Sequence, residues 1–78
     1  MDVKDRVLKS FKEALDLQDG VDTATLVYQE HREWSSIGHM TLVAALEDEF
    51  NVMLDSDDIL AMGNFDKTVV IMTKYANA

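Results

Sequence analysis

The spacing of hydrophobic residues predicts two amphipathic helices in the first two thirds of the chain. Apolar residues recur every four positions near the start, and every three or four positions from Ser36 to Phe50. The first stripe comprises Val3, Val7, Phe11 and Leu15, with Leu8 and Ala14 beside it. The second comprises Ile37, Met40, Val43, Leu46 and Phe50. We expect Asp2 to cap the first helix and Gly20 to end its pattern.

The rest of the chain predicts a long packed loop and two further helices. Between Val21 and Trp34 the periodicity is lost, but apolar side chains able to pack on a core remain. "DSDDILAM" predicts a short third helix that closes at Gly63, and Asn64 is a plausible cap for a fourth. The inner face of that last helix should hold Phe65, Val69, Met72 and Ala76. No proline and no strand-like alternation appears, so the prediction is an all-α bundle of three longer helices and a short third one.

Composition limits the possible partners. The 78 residues are the size of one small domain, taken as residues 1–78, with room for a core but not for a deep enzyme cleft. The net charge of −8 disfavours binding to nucleic acid and to anionic membrane surfaces, and favours basic protein partners. The first residues form no uninterrupted apolar block, so we expect neither a signal peptide nor a membrane span. We therefore expect a cytoplasmic protein.

Cysteine is absent, which excludes disulfides and thiolate metal sites. Any thiol chemistry must therefore come from a cofactor. We expect no metal site, because Asp55, Asp57 and Asp58 lack the glycine of a calcium loop and are explained as acids at a helix start.

Two adjacent serines stand in front of the second helix. One of Ser35 and Ser36 is expected to cap that helix by accepting a backbone N–H. The other interpretation requires an exposed hydroxyl at the positive end of the helix dipole, where an attached phosphate would be stabilised. Spacing alone favours the cap but does not say which serine supplies it.

From Ser35 onward, "SSIGHMTLVAALEDEFNVML" resembles the acyl carrier protein family, in which a serine opens the second helix and the stretch ends in "LEEEF". The resemblance continues through "DSDDILAM" and "GNFDKTVVIMTKY" and covers nearly the whole chain. It implies a four-helix bundle of acyl-carrier type with a long loop after the first helix. It also implies that Ser36, followed by Ile37, carries 4′-phosphopantetheine derived from coenzyme A, whose thiol holds an acyl group as a thioester.

The resemblance assigns further residues. Ser35 occupies the place of the usual acid, which suggests a carrier dedicated to one pathway. Partner enzymes with basic patches would dock on the acidic end of the second helix, formed by Glu47, Asp48 and Glu49. A cavity for the acyl chain would be lined by Leu46, Leu54, Ile59 and Met62. The alternative is that these residues form an ordinary closed core.

His39 lies one helical turn after Ser36 and is expected to be a surface residue near the phosphate. With no acid partner or oxyanion hole in view, we do not expect catalysis by this pair. The sequence thus predicts a free-standing monomeric carrier, modified by a phosphopantetheinyl transferase, that serves separate enzymes of fatty-acid, lipid or specialised biosynthesis. An aminoacyl or peptidyl carrier and an unmodified helical interaction module remain alternatives.

Overall fold

The computed structural model describes residues 2–17, 20–30 and 32–77. Within these ranges the chain forms four α-helices and a short 3-10 turn, with no strand beyond an isolated bridge between Val27 and Asn64. The elements in chain order are α1 (Val3–Ala14), the 3-10 turn (Thr23–Thr25), α2 (Ser36–Phe50), α3 (Ser56–Ala61) and α4 (Phe65–Ala76). The predicted helix order, the long loop after α1 and the short α3 are confirmed.

Side-chain caps set where three of the helices begin. Asp2 accepts the backbone N–H of Asp5 at 2.8 Å at the start of α1. Asn64 accepts that of Lys67 at 2.8 Å at the start of α4. Ser35 caps α2, which ends at Phe50 and is followed by Asn51 in the left-handed region (φ 54°). These caps confirm the predicted starts of all three helices.

The core is built on aromatic side chains from different elements. Phe11 of α1 meets the ring of Trp34 edge-on at 5.0 Å and that of Phe65 at 5.2 Å. Trp34 is fully buried, so the loop before α2 packs into the core through its last residues, as predicted. Aromatic pairs in this arrangement add to the stability supplied by their burial. The start of α2 is therefore anchored on α1 and α4.

Gly38 allows α2 to begin close to the end of α1. A Cβ at this position would lie 3.1 Å from Leu15 Cδ2, closer than side chains normally approach. The absence of a side chain thus lets the first turn of α2 settle against the last residues of the first helix.

Some details of the predicted pattern are wrong. Helix α1 ends at Ala14, before Gly20, and Asp16 already takes a left-handed φ of 50°. Ile37 and Met40 are 82% and 60% exposed, although the stripe on α2 placed them inside. Ala76 is exposed at the end of α4. Apolar spacing alone therefore shows neither where a helix ends nor which of its apolar residues other elements cover.

Candidate functional site

Ser36 is the first residue of α2, and its side chain is exposed. Ser35, immediately before it, supplies the cap: its Oγ accepts the N–H of Gly38 at 3.2 Å, and its carbonyl accepts that of His39 at 2.8 Å. The two serines therefore have different roles. Ser35 accepts a backbone N–H of the first turn that would otherwise lack a partner. Ser36 instead presents its hydroxyl to solvent at the positive end of the helix dipole.

Gln29, in the loop before α2, contacts that hydroxyl. Its side-chain amide Nε2 donates a hydrogen bond to Ser36 Oγ at 2.7 Å. Its backbone N–H donates to the carbonyl of Trp34 at 2.9 Å, which closes the loop on itself. The sequence analysis missed this residue, because a glutamine in an aperiodic loop carries no spacing signal that relates it to Ser36.

His39 lies inside the protein, so its prediction as a surface residue is wrong. The side chain is only 4% exposed. Its Nδ1 accepts the indole N–H of Trp34 at 2.9 Å, and its Nε2 is 2.9 Å from the carbonyl oxygen of Ile59. Because an indole can only donate, Nδ1 is the unprotonated nitrogen and Nε2–H donates to Ile59. His39 thus connects the loop before α2 to α3.

This arrangement also bears on catalysis. Both ring nitrogens of His39 are engaged with Trp34 and Ile59, so neither is available to take a proton from Ser36. Among the described residues, no group of three or more histidines and acids is placed to hold a metal ion.

Beside Ser36, the outer face of α2 is apolar and uncovered. Ile37 and Met40 are the two large exposed side chains here, and with Ser36, Thr41 and Ala44 they line a shallow open groove. An exposed methionine adapts its shape readily to different partners. The surface around the Ser36 hydroxyl is therefore suited to contact with another protein.

The four residues assigned to an acyl pocket come together in the structure. Leu46 and Met62 are fully buried, Leu54 is 8% exposed, and Ile59 is half-buried against the same core. Leu46, Leu54 and Met62 belong to the core cluster that also holds Trp34 and Phe11, and Ile59 packs against it. Their packing agrees with the closed-core alternative in the form described, and their predicted role around an acyl chain stays a prediction.

The three acids assigned to partner docking differ in their surroundings. Asp48 is exposed. Glu49 is paired with Arg6 at 3.1 Å and with Lys9 at 3.2 Å, so it faces α1. Glu47 accepts the backbone N–H of Leu54 at 2.9 Å and so stabilises the turn after α2. The docking role stays a prediction for all three, and Asp48 makes no contact of this kind with the residues that the structure describes.

The pairing of Glu49 changes its titration. Hydrogen bonds first from Arg6 and then from Lys9 lower the pKa of this carboxyl, and burial opposes them only partly. The same contact raises the pKa of Lys9. Glu49 is therefore a structural anion that fastens α2 to α1.

A second polar cluster fastens α4 to α3. Tyr75 Oη donates to Asp58 at 2.5 Å and accepts the backbone N–H of Asp55 at 3.0 Å, while Lys74 pairs with Asp58 at 2.8 Å. The hydrogen bond from Lys74, followed by that from Tyr75, lowers the pKa of Asp58. Asp57 and Asp58 lie in the first turn of α3, as expected for acids at a helix start, and Asp58 in addition links α3 to α4.

Comparison with known proteins gives no relative from which to transfer a role. No family model, no curated protein and no solved structure matches the chain. None of the helices in the described ranges is long and apolar enough to cross a membrane. The function is therefore inferred from the site itself.

Proposed function

We propose that this protein is an acyl carrier protein, a four-helix bundle of acyl-carrier type in which Ser36 carries a 4′-phosphopantetheine arm. The observation that carries the proposal is the division of labour between the two serines. Ser35 caps α2, so the hydroxyl of Ser36 is left exposed at the helix start. If the helix start needed only a cap, Ser35 would supply it and a hydroxyl at position 36 would be unnecessary.

The surroundings of Ser36 suit a phosphodiester. The backbone N–H groups of Ser36 and Ile37 lie in the first turn of α2, where the helix itself offers them no acceptor. They therefore add positive electrostatic potential at the start of the helix. Gln29 contributes a neutral amide donor within hydrogen-bond distance of Ser36 Oγ. These donors favour a single negative charge at this position without forming a closed anion pocket, which fits a flexible arm that must leave the surface.

The attachment reaction requires only a nucleophilic hydroxyl from this chain. Ser36 Oγ forms a bond to the phosphorus next to the pantetheine of coenzyme A, and the bridging P–O bond of the pyrophosphate breaks. Adenosine 3′,5′-bisphosphate leaves with the electron pair, and the serine proton passes to a base of the transferase. When bound, the group supplies the thiol that forms a thioester, and the chain itself has no cysteine for this.

Partner enzymes are proposed to dock on the apolar face of α2. Ile37 and Met40 lie next to Ser36 and are exposed, so an enzyme that covers them also reaches the attachment point. The net charge of −8 attracts partners with basic surfaces over longer distances. The carrier thus presents its cargo while its partners carry out the chemistry.

An intact-mass experiment tests the attachment. Incubation with coenzyme A and a broad-specificity phosphopantetheinyl transferase should add one phosphopantetheine to the wild type and none to Ser36→Ala. Ser35→Asn is the matched control, because asparagine is an equally good cap and Ser36 is retained. Modification of Ser36→Ala would move the site to Ser35, and no mass gain in the wild type would overturn the carrier proposal.

An unmodified helical interaction module is the second candidate, and the exposed Ile37 and Met40 favour it independently of any arm. The two candidates separate in the same experiment, because the module requires no mass gain. Replacing Met40 by Glu should weaken the reactions of a carrier with its partners, or the binding of partners by a module, and should leave the free energy of unfolding unchanged. Val70→Glu on α4, another exposed apolar position, is its control.

A further inference from the structure

The loop before α2 contributes a polar contact to Ser36 that the carrier proposal does not require. We propose that Gln29 is a positioning residue for this serine: its side-chain amide holds the hydroxyl in one orientation for modification, then donates to the phosphodiester once the arm is attached. The inference rests on the proposed function, because it gives Gln29 a role in the attachment reaction.

The direction of the hydrogen bond suits a nucleophile. Nε2 of Gln29 can only donate, so Ser36 Oγ receives the bond at 2.7 Å through one lone pair. The serine keeps its own proton, which remains available to the base of the transferase. A contact of opposite direction, with the hydroxyl donating to a protein acceptor, would compete with that base.

The backbone of Gln29 is held firmly enough to act as a support. Its φ of 65° is in the left-handed region, which residues other than glycine adopt rarely. Such a conformation persists where neighbouring contacts fix it, and here the N–H of Gln29 is bound to the carbonyl of the fully buried Trp34. On the other side, the N–H of Tyr28 donates to the carbonyl of Gly63 at 3.0 Å. The exposed amide is thus carried by a backbone fixed to the core.

The same amide can serve the modified protein. After attachment, Oγ is an ester oxygen and the adjacent phosphate carries a negative charge within reach of Nε2. A hydrogen bond to a charged acceptor is stronger than one to a neutral hydroxyl. Gln29 would therefore orient the root of the arm without restricting the pantetheine beyond it.

The hydrogen bond can be tested without any cofactor, by NMR of the unmodified protein. In the wild type, coupling constants should give one predominant χ1 rotamer for Ser36, and in Gln29→Met they should show rotamer averaging. Methionine matches glutamine in length and removes the donor. The Gln29 side-chain amide signals should also shift in Ser36→Ala. An averaged Ser36 rotamer in the wild type, or unmoved amide signals in Ser36→Ala, would overturn the inference.

Transferase kinetics test the role. Gln29→Met should lower kcat for modification about threefold to tenfold, the range for loss of one hydrogen bond, with KM unchanged because Ile37 and Met40 are intact. Gln29→Glu should be at least as slow, because it places an acid beside the incoming phosphate. Glu30→Met is the matched control: it alters an exposed side chain of the same turn and should leave kcat unchanged. All three variants should melt at the wild-type temperature.

The outcomes separate this inference from the proposed function. If the wild type gains no arm, the carrier proposal fails and the inference fails with it. If the wild type is modified and Gln29→Met has the same kcat, the carrier proposal stands and the role of Gln29 is refuted. An equal loss of kcat in Gln29→Met and Glu30→Met would also refute it, because the effect would then belong to the loop as a whole.

Discussion

His39 offers a demanding test of how the start of α2 is held in place. The change His39→Phe keeps a planar ring that can still pack on Tyr28, whose ring centre lies 4.4 Å away. It removes both hydrogen bonds, so the indole N–H of Trp34 and the carbonyl of Ile59 lose their partner. The substitution therefore tests the loss of the two hydrogen bonds while the packing of the ring is retained.

The two orphaned groups set the size of the effect. Trp34 is fully buried, so leaving its N–H unpaired should cost about 1–3 kcal/mol. The Ile59 carbonyl belongs to a half-buried residue that water can reach more easily, and we assign it about 0.5–1 kcal/mol. The sum, about 1.5–4 kcal/mol, is a large part of the 5–15 kcal/mol expected for a small domain. The melting temperature should fall by roughly 6–30 °C.

Urea unfolding followed by far-UV circular dichroism measures this loss in every variant, including those without the single tryptophan. The double variant Trp34→Phe with His39→Phe removes the orphaned donor as well. The histidine change should therefore cost about 1–3 kcal/mol less in the Trp34→Phe background than in the wild type. Additive costs, or a loss below about 0.5 kcal/mol for His39→Phe alone, would refute the hydrogen-bond assignment.

Three further changes probe neighbouring contacts. Ser35→Asp keeps a side-chain cap and adds negative charge at the helix start, so it should raise the free energy of unfolding by about 0.3–1 kcal/mol in urea titrations. Hydrogen bonds from Arg6 and Lys9 lower the pKa of Glu49, so its stabilisation is present above the unfolded value of about 4.3 and is lost as pH falls through the lower folded value. Glu49→Gln should thus flatten the acid limb of stability against pH, and an unchanged limb would contradict the pairing. Tyr75→Phe removes the donor to Asp58 and should increase amide exchange at the end of α4 without altering α2.

The helix starts were predictable because they depend on local chemistry. Asp2, Ser35 and Asn64 each accept a backbone N–H three residues ahead, a relation that is visible in the sequence. The start of α2 at Ser36 and its end at Phe50 follow from such local signals together with apolar spacing. The resemblance to acyl carriers indicates Ser36, and the cap geometry explains why the hydroxyl of that serine, and not that of Ser35, is not needed to cap α2.

The surroundings of the site were less predictable, because α2 carries apolar residues on more than one face. Periodicity could not decide which face other helices cover, and it placed Ile37 and Met40 inside. The position of His39 one helical turn after Ser36 predicts a surface residue, but its two partners come from the preceding loop and from α3, and it is buried. The contact of Gln29 with Ser36 likewise depends on a left-handed loop residue that no local pattern indicates.

The position of these side chains divides the proposed docking surface into two parts. At the far end of α2, Glu49 is held by two cations of α1, so its charge is partly neutralised and contributes less to attracting a partner. Next to Ser36, the exposed Ile37 and Met40 supply apolar area that gains free energy only when a partner covers it. The attraction from the excess negative charge of the whole chain acts over longer distances and is screened by salt. The free energy gained by burying these two side chains is not screened. Charge should therefore govern how fast partners arrive, and the apolar face should govern how long they stay at the attachment point.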